Sequence, residues 1–570
     1  MSVTQNVASP LQLVFPVPLL EVENLEVAFR TDAPVVQKVS FQIARGECLA
    51  LVGESGSGKS VTSRALVGLA GEGAHVSASR LVFAGQDLHA LPERAWNSVR
   101  GARIGFVMQD ATGSLDPLRK VGKEVGETLA LHTCLDAAQR RARVLELLRS
   151  VGVPEAEVRA AQYPHQLSGG LRQRAMIASS IACAPDLLIA DEPTTALDTL
   201  VQAQVLELLE HLRDNEHAML IVSHDLAVVA RLAHRIAVMR HGEIVEQGLA
   251  AQILEDPRHP YTQSLLRAAS AIHLVGGVER TRHTDRPPVE RLTETADPIL
   301  VEARALEKYF VLPDGAKKRA VASASFVLRA GETLGIVGES GSGKTTLTRM
   351  VLGLERPDQG EVFLRGNAWT RLPAKRQRQE RRRIQVVFQD PLASFDPRYT
   401  VARVLEEARA INAAPRHTAV ELLDLVRLSP TLLSRRPIEL SGGQRQRIAI
   451  ARALAADPEV LVCDEAVSAL DASVQAQILD LLADLKLRLG LACLFISHDL
   501  GVIHHICNRV LVMKDGEIVE SGRVDEVFYH PRHPYTQSLL GAIPRLPERI
   551  HQVPQAETFP EYTTELYGHA

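Results

Sequence analysis

Gly53-Glu54-Ser55-Gly56-Ser57-Gly58-Lys59-Ser60 combines glycines, a lysine and a terminal hydroxyl at the spacing that lets a loop close around phosphate, and Gly338-Glu339-Ser340-Gly341-Ser342-Gly343-Lys344-Thr345 repeats it. The glycines let backbone N–H groups curl toward an anion, and the helix that follows presents its N-terminus to the same charge. Lys59 and Lys344 are placed to reach the outer phosphates of a nucleoside triphosphate, and Ser60 and Thr345 to ligate Mg²⁺. A lone copy is also compatible with a Gly-rich turn that binds nothing. Two copies with the same downstream motifs in the same order form an internal repeat, which points to two nucleotide sites.

The pairs Asp191-Glu192 and Asp464-Glu465 each end an apolar run, Asp186–Ala190 and Glu459–Cys463. The aspartate can hold the magnesium shell while the glutamate polarises an attacking water. An Asp-Glu pair by itself more often caps a helix, so its meaning comes from this placement. Leu167-Ser168-Gly169-Gly170 and Leu440-Ser441-Gly442-Gly443 open two further helices. A serine N-cap, two small residues and a free helix N-terminus make a second anion-binding end.

Positioning these groups requires strands that stop at the loops. Cys48–Val52 and Thr333–Val337 are continuous apolar runs directly before the phosphate loops, and helices are expected over Val61–Leu69 and Thr346–Leu354. Continuous apolar strands alternating with helices predict an α/β fold with parallel sheets covered on both faces. Expected boundaries are a leader at 1–19, a first domain at 20–271, a linker at 272–298, a second domain at 299–545 and a tail at 546–570. The linker is polar and proline-bearing, and about 26 residues of it could span roughly 85 Å extended, enough for the halves to face each other.

The 570 residues are 46% hydrophobic and 23% charged with net charge −4, which suits globular domains and offers no global basic surface for nucleic acid. The six cysteines (Cys48, Cys134, Cys183, Cys463, Cys493 and Cys507) show no Cys-x-x-Cys spacing, so neither zinc nor a disulfide framework is expected. No apolar run reaches the roughly 18 residues needed to span a bilayer.

With these residues in view, the chain resembles the ABC-type ATPases, with both halves complete. The resemblance implies tandem P-loop NTPase domains, each with a RecA-like core, an antiparallel β subdomain and a helical subdomain. It implies that the Leu-Ser-Gly-Gly stretch of each half completes the ATP site of the other. One site would then join Lys59, Glu192 and His224 with Ser441, and the other Lys344, Glu465 and His498 with Ser168. Gln109 and Gln389 match the Q-loop and, with Asp191, Asp464, Ser60 and Thr345, the Mg²⁺ set; His224 and His498 match the switch histidine, and Asp198 and Asp471 the D-loop. Phe29 and Phe310 stand where the family stacks an aromatic on adenine, although Tyr309 adjoins the second. Leu171 replaces the usual glutamine after the first signature, and Ala466-Val467 replaces Pro-Thr after the second Asp-Glu. Neither departure removes a catalytic group.

Arg258-His259-Pro260-Tyr261-Thr262-Gln263-Ser264-Leu265-Leu266 returns as Arg532-His533-Pro534-Tyr535-Thr536-Gln537-Ser538-Leu539-Leu540. This repeat resembles the C-terminal extension of the oligopeptide/dipeptide/nickel importer ATPases. That likeness implies an ATPase on the cytoplasmic face of the inner membrane, working with two permease subunits and an extracytoplasmic solute-binding protein. Some relatives carry an iron–sulfur centre in the extension; with no cysteine after Cys507, none is expected here. The alternatives are a soluble twin-ABC protein acting on ribosomes or nucleic acid, and a fused sugar-importer ATPase. The run Lys375–Arg383 is basic enough to suggest RNA, but it reads as a solvated helix leading into a strand.

Overall fold

The computed structural model describes residues 18–272 and 297–546, apart from short breaks at 30–32, 110, 196, 215–216, 312–314, 316, 413, 469 and 545. The expected leader, linker and tail lie almost wholly outside the described residues.

Each half is built on a six-stranded sheet. In the first, the order is Glu243–Leu249, Arg235–Arg240, Cys48–Val52, Ala218–Ser223, Leu187–Asp191, Ile104–Val107, and in the second Glu517–Arg523, Arg509–Lys514, Thr333–Val337, Ala492–Ile496, Val460–Asp464, Ile384–Val387. All pairings are parallel except the edge hairpin at Glu243–Leu249 and its counterpart Glu517–Arg523. The strand carrying the phosphate loop is internal in both sheets and buried at every position, as its unbroken apolar run requires. An antiparallel sheet beside each core is led by Pro18–Phe29 in one half and Ile299–Val311 in the other.

The helices expected after the phosphate loops form at Lys59–Ala65 and Lys344–Val351, starting and ending earlier than their apolar patterns suggested. Gly58 and Gly343 adopt φ of 98° and 100°, a left-handed conformation that lets each helix begin at the lysine itself. Downstream, the next glycines (Gly68, φ 65°; Gly353, φ 63°) end the turn. The basic run forms helix Ala374–Glu380 and a 3₁₀ turn, then enters strand Ile384–Val387 as expected. Cys48, Cys463 and Cys493 are buried, Cys183 and Cys507 partly so, and Cys134 is exposed.

The halves meet head to tail. Helix Pro260–Ile272 of the first packs on helix Ala472–Leu489 of the second, and helix Pro534–Gly541 on helix Thr199–Asp214. Leu546, at the C-terminal end of the described residues, joins the buried cluster of Tyr261, Leu265 and Leu266 in the first half.

Candidate functional site

Each phosphate loop is shaped by its glycines and closed by its lysine. A Cβ on Gly53 would stand 2.2 Å from the carbonyl oxygen of Met239, and on Gly338 2.2 Å from that of Met513, so only glycine fits there. Lys59 Nζ donates to the Gly53 and Glu54 carbonyls at 2.7 and 2.8 Å, and Lys344 repeats both bonds at the same distances to Gly338 and Glu339. Burial lowers the pKa of both ammonium groups while the facing carboxylates oppose the shift. Both lysines are nearly inaccessible, at 5% and 6% exposure, and their charge is directed into the loop.

At the end of strand Leu187–Asp191, Ser60 Oγ donates to Asp191 Oδ1 at 2.9 Å, while Asp191 Oδ2 is buried without a hydrogen-bond partner. A hydroxyl beside an unsatisfied carboxylate oxygen suits a hard cation that takes oxygen ligands. Ser60 and Asp191 would therefore hold Mg²⁺, whose charge would offset that of bound phosphates. Among the described residues no group of three or more His, Cys, Asp or Glu is placed to hold a metal; further ligands would be an amide oxygen such as that of Gln109, nucleotide and water. In the second half Asp464 is partly buried and Thr345 exposed. Burial raises the carboxyl pKa of both aspartates.

The neighbouring glutamates adopt φ of 49° and 51°, a strained conformation for a residue with a side chain. Their backbone amides donate across the sheet end to Val222 and Ile496, which holds that conformation in place. The Glu192 carboxylate accepts from Gln109 Nε2 at 3.0 Å and Thr195 Oγ1 at 2.9 Å, and lies 3.1 Å from His224 Nδ1. Burial pushes its pKa up, but the His224 bond and charge, with Thr195 and Lys59, outweigh this and bring it to about 2. His224 responds in kind: burial lowers its pKa, and the Glu192 bond and charge raise it further than that. Glu192 is thus an ionised acceptor, as a group that orients water must be.

The second copy is looser. His498 Nδ1 lies 3.6 Å from Glu465 Oε1, Gln389 bonds Ser468 Oγ at 3.4 Å, and Ser468 donates to the Glu465 backbone carbonyl. The His498 contact and charge, with Lys344, still lower the Glu465 pKa against burial. Thr195 was passed over in the sequence.

Ser168 and Ser441 cap helices Gly169–Ser180 and Gly442–Leu454, as expected, accepting from Leu171 and Gln444 amides. The second glycine of each pair lets the next helix approach: a Cβ on Gly170 would meet Val201 Cγ1 at 2.2 Å, and on Gly443 Val474 Cγ1 at 2.6 Å. Among the described residues, hydrogen bonds across the seam come from the D-loops and the residues just after them. Asp471 Oδ2 faces the Ser55 amide at 3.4 Å and Asp198 Oδ2 the Ser340 amide at 3.3 Å, both long for a hydrogen bond. Ser473 Oγ donates to Glu54 Oε1 at 2.8 Å, and Thr199 Oγ1 to the His498 carbonyl at 2.9 Å. The seam also encloses a crevice lined by His224, Asp225, Gln202, His498, Asp499 and Gln475. Phe29 is partly buried against its own core, and Phe310 is 43% exposed with Lys308 over its ring at 5.7 Å. Tyr309 is engaged elsewhere, donating to Glu307 Oε2 at 3.1 Å.

The ABC transporter family model matches residues 36–195 and 321–468, and the oligopeptide/dipeptide transporter C-terminal region matches 245–294 and 519–567. The chain is 43% identical over 560 residues to the glutathione import ATP-binding protein GsiA of Pectobacterium atrosepticum, covering 92% of this chain and 89% of that protein. It is also 43% identical over 544 residues to the peptidoglycan transport ATP-binding protein YejF of Agrobacterium fabrum, covering 92% and 96%. Among solved structures, the complex of archaeal ribosomal stalk protein aP1 and ribosome recycling factor aABCE1 superposes with TM-score 0.55 at 20% identity, over 86% of this chain and 88% of that one, a likeness of fold alone. The chain belongs to the ABC transporter family and is an ATP-binding protein of its oligopeptide/dipeptide type, with two ATPase domains in one polypeptide.

Proposed function

We propose that this chain is the ATP-hydrolysing subunit of an importer for peptides or related small solutes, with two composite ATP sites formed between halves 20–271 and 299–545. The observation that carries this reading is the D-loop of each half lying against the phosphate loop of the other, beside an ionised glutamate and its histidine. Lys59 and Lys344 bind the triphosphates, and Ser168 and Ser441 close each site from the opposite half. Glu192 and Glu465 orient water, His224 and His498 hold the outer phosphate, and Phe29 and Phe310 stack on adenine. Mg²⁺ is held at Ser60, Asp191 and Gln109, and at Thr345, Asp464 and Gln389.

Relatives named for glutathione and for peptidoglycan transport support a peptide-like solute. They favour the importer over a ribosome- or nucleic-acid-acting ATPase and over a sugar importer. No helix among the described residues is long and apolar enough to cross a membrane, so permease subunits would supply the path. Two of them, with an extracytoplasmic solute-binding protein, complete the assembly at the cytoplasmic face of the membrane. Glu192→Gln with Glu465→Gln tests the core of the reading. ATP should still bind while phosphate release falls by about 10²–10⁴-fold; release at the wild-type rate would refute the assigned roles.

A further inference from the structure

The repeated Arg-His-Pro-Tyr-Thr-Gln segment is more than a family mark, because its tyrosine reaches the phosphate loop. Tyr261 Oη accepts a hydrogen bond from the Glu54 backbone amide at 3.1 Å, and Tyr535 Oη from the Glu339 amide at 3.1 Å. Both tyrosines are nearly buried, 7% and 6% exposed, with a cation over each ring: Arg240 at 4.8 Å and Lys514 at 5.0 Å.

The rest of the motif aims that hydroxyl. Glu246 accepts from the Arg258 and His259 amides at 2.9 and 3.0 Å, pinning the turn to the edge strand. His259 Nδ1 accepts from the Tyr261 amide at 3.2 Å and caps the helix, while Gln263 Nε2 bonds the Pro257 carbonyl at 3.0 Å. Glu520, His533 and Gln537 repeat every one of these bonds in the second half. The helix so anchored packs on the opposite half, directly behind its D-loop. Glu54 and Glu339 therefore each stand between the extension of their own half and the D-loop of the other.

We propose that Tyr261 and Tyr535 are positioning residues: each hydroxyl holds the first turn of its own phosphate loop in the conformation that receives ATP, from a helix seated against the opposite half. This rests on reading both loops as ATP sites. Tyr261 acts through the Glu54 amide, and Tyr535 through the Glu339 amide with the Glu339 carboxylate as a further partner.

The test uses the full chain carrying Tyr261→Phe, Tyr535→Phe, or both, which keeps the rings and the cations stacked on them. Amide hydrogen exchange without nucleotide is the first reading. Tyr261→Phe should speed exchange in the Gly53–Lys59 peptide by about fivefold or more and leave Gly338–Lys344 unchanged, and Tyr535→Phe should do the reverse. In the second reading, ATP turnover by the double variant should show KM raised about fivefold or more with kcat within about twofold. The melting midpoint should fall by no more than about 4 °C.

Unchanged exchange at the matching loop overturns the proposal. So does faster exchange in both loops from a single variant, or kcat falling together with the melting midpoint, since these mark general loosening. If wild-type protein failed to bind ATP, the ATP-site reading would fall, while the exchange experiment would still decide the tie between tyrosine and loop.

Discussion

Ser473→Ala removes one bond across the seam, along with the hydroxyl's 3.0 Å contact to Asp471 Oδ1 in its own D-loop, and its effect can be worked from the geometry. Ser473 Oγ donates to Glu54 Oε1 at 2.8 Å between partly buried groups of opposite halves. The corresponding position in the other D-loop is Leu200, which has no donor to offer Glu339. A hydrogen bond to a charged acceptor contributes about 1.5–3 kcal/mol when sheltered, and partial exposure of this pair reduces that to about 1–2 kcal/mol. If ATP binds the closed arrangement of the halves, losing the bond lowers ATP affinity by about fivefold to thirtyfold. The assay is titration of a fluorescent ATP analogue in the Glu192→Gln, Glu465→Gln background, where the ligand is not consumed. Glu54→Ala and the Ser473→Ala, Glu54→Ala double variant complete a cycle in which the double should be no weaker than Glu54→Ala alone. A parallel cycle with Leu200→Ala and Glu339→Ala should add to within about 0.5 kcal/mol. Additivity in the first cycle, or Ser473→Ala binding within twofold of the parent, would refute the reasoning.

Two further outcomes follow from the same seam and site. Gly170→Ala places a methyl group 2.2 Å from Val201 Cγ1, an overpacking expected to destabilise by about 1–3 kcal/mol. Chemical denaturation should show that loss, and adding Val201→Ala should recover most of it; no recovery would mean the clash is not the cause. The His224–Glu192 pair should stabilise the fold most between about pH 4.3 and 6.5. The histidine pKa is raised, so its share is complete below the unfolded value near 6.5 and declines as pH rises through the folded one. The glutamate pKa is depressed to about 2, so its share is present above about 4.3 and is lost as pH falls toward that value. Asp225 adds to the histidine shift and Lys59 opposes it. The difference in melting midpoint between wild type and His224→Ala should therefore narrow above pH 6.5; a difference that widens there contradicts the pairing.

The phosphate loops, the strands before them and the serine caps were readable from residue order because each depends on local chemistry. Glycines needed for positive φ, a lysine opening a helix and an unbroken apolar run for a buried strand all lie within a few residues of what they shape. Helix ends were less legible: Gly68 and Gly353 stop the first turns sooner than the apolar pattern does. Thr195 was missed because its value lies in a bond to Glu192 that exists only when the chain turns back at a strained residue.

Sequence by itself therefore determined that there are two ATPase halves of one family, which residues could do the chemistry, and that the Tyr261 and Tyr535 segments are copies. Tertiary structure decided how the copies differ and what the segments touch. Ser473 meets Glu54 where Leu200 cannot match it, Glu192 has three partners where Glu465 keeps a longer histidine contact, and Tyr261 reaches the Glu54 amide. The physical reason is distance along the chain: Tyr261 and Glu54 are 207 positions apart, Ser473 and Glu54 419, and Gln109 and Glu192 83. No local propensity encodes them; folding of each half brings tyrosine to loop and glutamine to glutamate, and packing the halves head to tail brings Ser473 to Glu54.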